Sequence, residues 1–286
     1  MRPLISYRNG GVMSGYRKTL GKRSAQLIAR LYDMGKVIFT IQDVAAITGL
    51  DYFSAGRLIS ELKKRHIIST LKKGKHIIIP QELGSAETYL GNWFVVAREI
   101  VNSKEYYIGY YSAMRYWGMT TQPTVKVFVL TPKRQSPPKT LSDRVSFVYV
   151  KKKHMWGIRE VWVTGTEKVN MSDIEKTIID TLMHPEYSGG ITEIAKGIWL
   201  VKDRIDLDKV LNYVKRLNKN VVAKRLGYIL EMLELADAGT IKTLRRYIKN
   251  RYDLFDPTLE RRSIGKNRWR LIDNVGRDRI HKIISM

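Results

Sequence analysis

The chain has 286 residues, with 51 Lys and Arg against 27 Asp and Glu, a formal net charge of +24 and no cysteine. The missing cysteines exclude disulfides, thiolate metal sites and cysteine nucleophiles, and suit a reducing cytoplasm. No apolar run approaches the roughly 18 residues of a spanning helix, and Met1–Arg8 has no signal-peptide core, so a cytoplasmic protein without a membrane partner is expected. A field of this sign attracts polyanions, and lysines and arginines placed on phosphates release condensed counterions. The charge is uneven. Residues 1–80 hold 15 basic and 4 acidic side chains, residues 81–202 hold 16 and 12, and residues 203–286 hold 20 and 11.

The first 21 residues form a basic arm, with Arg2, Arg8, Arg17 and Lys18 spaced by Gly10, Gly11 and Gly15 and leading to Lys22 and Arg23. Such an arm can track a backbone or enter a minor groove; it can equally be a disordered terminus. From Lys22, Ala25, Leu27, Ile28, Leu31 and Tyr32 recur at helical spacing, and Gly35 stops the helix. Val37-Ile38-Phe39 reads as a short strand. Thr40, with Asp43 three positions on, makes a capping box for a helix over 41–48, and Gly49 supplies the turn. Asp51 caps a third helix reaching about Arg65, with Ala55, Leu58, Ile59 and Leu62 on its core stripe. At 100° per residue the opposite face holds Phe53, Arg57, Ser60 and Lys64, with Lys63 on its flank.

Beyond Ile67-Ile68, the run Lys72-Lys73-Gly74-Lys75 before His76-Ile77-Ile78-Ile79 reads as a β-hairpin with a basic tip. Two short helices, a basic-faced third helix and a basic hairpin spell a winged helix-turn-helix over residues 22–80. In that reading Phe53 meets a thymine methyl, and Arg57 and Ser60 reach base edges. Lys63, Lys64, Lys72, Lys73 and Lys75 meet phosphates, as do Arg17, Lys18 and Lys22 of the arm. His66 and His76 are read as packing residues rather than metal ligands.

Residues 81–202 read as an α/β region and residues 203–286 as mainly helical. Residues 81–102 read as a linker entering a helix, and an aromatic-rich helix follows over 106–119. Strand-like runs occupy 124–130, 145–150 and 161–164, with Pro137-Pro138 as an exposed turn. Ser172 is expected to cap a helix starting at Asp173, and Pro185 with Gly189-Gly190 to end that stretch. Helices are expected over 207–217, 221–235 and 241–252, then a turn at Asp256-Pro257.

Several pieces of this stretch together resemble the AbiEi-type antitoxin and transcriptional regulator family of type IV toxin–antitoxin systems. They are Tyr107-Ile108-Gly109 through Ser112-Ala113 to Trp117-Gly118-Met119, Asp173-Ile174-Glu175-Lys176-Thr177-Ile178-Ile179-Asp180, Lys224-Arg225-Leu226-Gly227-Tyr228-Ile229-Leu230-Glu231, and Leu254-Phe255-Asp256-Pro257 with Arg268-Trp269. The resemblance implies a winged-helix domain that represses its own operon by binding the operator DNA. It also implies a C-terminal region that counters a nucleotidyltransferase toxin without a tight complex between the two. Lys176 stands where the family usually has Arg, a change that matters if that side chain makes a bidentate contact.

Enzyme chemistry finds little support. A metal-dependent nuclease with a winged-helix targeting domain is the alternative, and it needs carboxylates converging with a lysine. The nearest candidates are Asp173, Glu175, Asp180, Glu193 and Lys196, and the first three fall at spacings that scatter them around one helix. Gly84-Ser85 lies far in sequence from Asp206 and Asp208, which fails a nucleotidyltransferase pattern, and no phosphate-binding glycine loop is present. The expectation is therefore a multi-domain α/β (α+β) regulator that is not an enzyme, uses no cofactor and holds no metal.

Overall fold

A computed structural model describes residues 20–79, 91–101, 103–123, 126–261 and 263–284. Arg17 and Lys18 of the basic arm, and residues 81–90 of the expected linker, lie outside them, while residues 93–100 of that linker are helical. The described residues up to Gly91 form one compact unit, and those from Asn92 onward form a second.

The first unit runs α1 (Lys22–Asp33), β1 (Ile38–Phe39), α2 (Ile41–Thr48), α3 (Tyr52–Lys64), β2 (Ile68–Lys72) and β3 (Lys75–Ile78). Local chemistry explains most boundaries. Thr40 accepts from the Asp43 N–H while the Asp43 carboxylate accepts from the Thr40 N–H, so the capping box forms in both directions. Gly49 ends α2 in the left-handed region at φ 70°, where a side chain would be strained. The Asp51 carboxylate caps α3 by accepting from Phe53 and Ser54 N–H groups. The strands order β1-β3-β2, all antiparallel. Leu27, Leu31, Val44, Ala55, Leu58, Ile59, Leu62 and Ile68 make the core; each large apolar side chain so buried contributes about 1.5–3 kcal/mol. Tyr32 departs from expectation: it is half exposed, because the buried stripe of α1 runs through Ser24, Leu27, Ile28 and Leu31.

The second unit is built on a five-stranded mixed sheet, ordered β6 (Val145–Tyr149), β5 (Val127–Thr131), β4 (Tyr107–Ile108), β8 (Lys168–Ser172) and β7 (Ile158–Trp162). Here β5 runs parallel to β6 and β4 parallel to β8, while the β4–β5 and β7–β8 pairs are antiparallel. Helices α4 (Trp93–Ile100) and α5 (Tyr110–Trp117) precede α6 (Ile174–Met183), α7 (Gly190–Leu200), α8 (Leu207–Leu217), α9 (Asn220–Met232), α10 (Ala238–Arg245) and α11 (Arg277–Ile284). A small sheet of β10 (Gly265–Lys266), β11 (Leu271–Asp273) and β9 (Asp253–Leu254) completes it. The main core joins Met114 and Ile178 to Leu226, Phe255 and Trp269, so residues on both sides of position 203 share one interior. Among the described residues no helix is long and apolar enough to cross a membrane. The chain is a multi-domain α+β protein.

Several expected elements shift. The aromatic run does not begin as a helix: Tyr107-Ile108 is drawn into the sheet between β5 and β8. Gly109 then turns the chain at a point where a Cβ would lie 2.6 Å from Leu130. Ser172 is not the cap of α6. It closes β8, buried against the Ile108 carbonyl and the Thr177 hydroxyl, and Asp173 caps instead through the Lys176 N–H. Gly189 and Gly190 do not end the unit; both take positive φ and launch α7. The strand expected at 161–164 lies at Ile158–Trp162, and the last long helix stops at Arg245.

Candidate nucleic-acid interface

The third helix of the first unit divides cleanly. Ala55, Leu58, Ile59 and Leu62 are buried, while Phe53, Arg57, Ser60, Lys63 and Lys64 are exposed. Phe53 is 68% exposed, which wastes a large apolar ring unless something covers it. The Arg57 guanidinium lies over that ring, 4.5 Å from its centroid. This cation–π contact, about 0.5–1 kcal/mol at an exposed site, holds a long cationic side chain in place on the helix face. Arg57 also lines a groove of about 440 Å³ with Lys22 and Arg23 of α1, so the start of α1 and the face of α3 share one basic concavity. The carboxylate of Asp51 occupies the first free N–H groups of α3. A polyanion meeting this helix is therefore met by side chains rather than by the helix terminus.

Lys63 lies toward the hairpin: its charge adds to burial in lowering the pKa of His76 on β3. His76 itself is buried, 5.9 Å ring to ring from Phe39 and 3.3 Å from the Thr70 hydroxyl, which is a packing role. At the hairpin tip Lys72 is paired directly across from Lys75, with Lys73 and Gly74 as the turn and Gly74 at φ 78°. Like charges facing each other across strands are unfavourable by a few tenths of a kcal/mol. Lys22, Arg57, Lys63, Lys64 and Lys73 form no ion pair with another described residue. Thus Arg57 comes together with Phe53 and with Lys22, whereas Lys63 lies toward β3 at the other end of α3. The sequence reading missed Tyr52 and Arg23. Tyr52 is 68% exposed although it stands three residues before buried Ala55, a spacing that assigns it to the core side; Arg23 was counted with the arm, and only the fold puts it beside Arg57.

In the second unit the carboxylates considered for catalysis are occupied. Asp173 accepts from the Tyr213 hydroxyl at 2.9 Å and pairs with Lys209 at 3.1 Å. Glu175 pairs with the same lysine at 2.7 Å. Burial opposes the Lys209 charge, but these two carboxylates outweigh it and raise its pKa. Asp180 accepts from the Tyr107 hydroxyl and is ion-paired with Lys176, and Glu193 accepts from Thr120. Among the described residues no three His, Asp or Glu side chains converge as metal ligands would.

The cations in the stretches that resemble the antitoxin family are largely interior. Lys176 is 1% exposed and sits 4.4 Å from the Trp156 ring centroid, a place for a single ammonium rather than a bidentate fork. Lys224 is fully buried against Asp253. Arg225 donates to the carbonyls of Leu182, Leu254 and Phe255, and burial lowers its pKa to about 10 against the pull of Asp256 and Asp253. Gly227 is required by Trp269, whose ring would lie 2.0 Å from any Cβ there.

No family model matches the chain, and no curated protein matches it. Among solved structures it is similar to the Rv2827c protein of Mycobacterium tuberculosis, with a TM-score of 0.71 at 14% identity, over 96% of this chain and 98% of that one. That likeness is one of fold, and it extends over both units.

Proposed function

We propose that the chain is a DNA-binding transcriptional regulator whose first unit acts as a winged helix-turn-helix. Helix α3 enters the major groove and the β2–β3 hairpin rests on the flanking backbone. The observation that carries this reading is the exposed Phe53–Arg57 contact on a helix that also exposes Tyr52, Ser60, Lys63 and Lys64, with Glu61 as the one acid among its exposed positions. A helix face without a partner has no use for an uncovered ring under a positioned guanidinium, whereas a base edge and a thymine methyl use both.

The remainder of the reading rests on the resemblance to the AbiEi-type family. The chain represses its own operon in the cytoplasm, and the residues beyond about 81 counteract a nucleotidyltransferase toxin without a stable complex. Arg57→Ala with Lys64→Ala is expected to lower affinity for the DNA upstream of its own gene at least tenfold. It should also flatten the dependence of log affinity on log salt by about one, for the lost phosphate contact of Lys64. Fluorescence anisotropy across a salt series measures both, and unchanged affinity would sink the proposal. Co-expression of the full chain with the neighbouring toxin should restore growth. Growth arrest despite soluble chain would remove the antitoxin part and leave the DNA-binding part standing.

A further inference from the structure

The second unit contains a cleft of about 1010 Å³ to which the DNA-binding reading assigns no role, and Tyr107, Lys176 and Asp180 of its lining belong to the stretches that carry the resemblance. Its walls come from distant stretches: β4 and the start of α5, β6 with the residues after it, α6, and the turn between α8 and α9. Five cationic side chains line it against a single carboxylate, Asp180. That carboxylate is already neutralised by Lys176 and hydrogen-bonded by Tyr107. The other four cations, Lys151, Lys153, Arg216 and Lys219, are exposed and form no ion pair with another described residue. A concave surface with four uncompensated positive charges and low-dielectric walls focuses potential on an anion.

The apolar part of the lining is evenly divided between aromatic and aliphatic side chains. Buried Tyr110 and half-buried Tyr187 pack with rings tilted by 44° and 4.9 Å between centroids, and Tyr149, 47% exposed, stands on β6 with the Arg134 guanidinium 4.7 Å from its ring centroid. His154 also lines the cleft, and its Nδ1 is buried without a hydrogen-bond partner. Cations with interleaved rings are what a phosphorylated aromatic ligand requires: phosphates take the ammonium and guanidinium groups, and a base has rings to stack on. The volume stands at the upper end of small-molecule sites, about 300–1,000 Å³, which admits a nucleotide with its phosphates. A purely anionic ligand would leave the tyrosines without a role, and an apolar one would strand the cations.

We infer that this cleft binds a nucleotide, either free or as the end of a single strand, with its phosphates on Lys151, Lys153, Arg216 and Lys219. The site shares no residue with the α3 face, so the two can be tested apart. The experiment is titration calorimetry of the full chain carrying Arg57→Ala and Lys64→Ala, at about 0.2 M salt to screen general polyanion binding. The probes are ATP, a single-stranded tetranucleotide and inorganic tripolyphosphate. One equivalent of ATP or of the tetranucleotide should bind, at least tenfold tighter than tripolyphosphate. Adding Lys153→Ala with Lys219→Ala should weaken binding at least tenfold, and adding Tyr149→Ala at least threefold, with the circular dichroism spectrum unchanged. Tighter tetranucleotide binding identifies a strand end as the source, and tighter ATP binding identifies a free nucleotide. The inference is overturned if neither nucleotide probe saturates, if tripolyphosphate binds as tightly as they do, or if the cleft variants bind like their parent.

Discussion

The two units use the same residue types in opposite ways. On α3, Arg57 and Lys64 face solvent and make no ion pair with another described residue. On α6 and α9, Lys176, Lys224 and Arg225 are buried, and each is satisfied by carboxylates, carbonyls or rings. A cation in water is available to a partner at almost no cost to the fold. A buried one has lost its hydration and holds its surroundings in register, because removing it strands every acceptor it served. The net charge of +24 therefore overstates what the molecule offers to a polyanion, and position decides which part counts.

The comparison breaks most visibly at Arg225. Replacing it with Met leaves three buried carbonyls without a donor and should cost about 3 kcal/mol of unfolding free energy, read by urea denaturation of the full chain. Arg57→Ala should stay within about 0.5 kcal/mol of the parent. If the two variants lose stability equally, the distinction between serving and structural cations fails. A smaller effect tests how α2 is fixed before α3. Thr40→Ala removes one half of the capping box and should cost about 1 kcal/mol, while Thr40→Ser should restore most of it in the same assay.

The smallest effect is one of pH. Burial and the nearby Lys63 hold the pKa of His76 below its ordinary value, so the unfolded chain binds a proton more readily than the folded one. The stabilising contribution is complete above the unfolded value near 6.5. It is lost as the pH falls through the lower folded value. Urea midpoints measured from pH 7.5 down to pH 5 should decline for the parent more than for His76→Gln; parallel curves would show that His76 does not carry the sensitivity.

The legibility of the sequence follows the same divide. In the first unit each boundary is written locally, by Thr40 with Asp43, by Gly49 and by Asp51, and so the helices and the hairpin could be placed from neighbouring residues. In the second unit α8 was equally plain, over Leu207–Leu217. Strand β8 was invisible because Lys-Val-Asn-Met-Ser has only two apolar positions and becomes a strand by pairing with β7 and β4. Helix α7 was hidden behind Gly189-Gly190, which reads as a stop when the turn is left-handed but the chain resumes at once. On α3 the basic face was legible from helical spacing alone, but its groove with Lys22 and Arg23 was not, since that depends on how α1 and α3 pack. The cleft of the second unit was out of reach for the same reason, being assembled from stretches between Tyr107 and Lys219.

The two-residue turn at Lys73-Gly74 also acts as a ruler. With β2 only five residues long and about 3.4 Å per residue, the lysine tip projects roughly 17 Å from the strand's start beside α3. One turn of B-form duplex is about 34–36 Å, so on the proposed DNA-binding reading this tip reaches about half a turn beyond the C-terminal end of α3. A nuclease footprint from the first unit should therefore be short and lopsided, extended on the hairpin side by no more than about five base pairs.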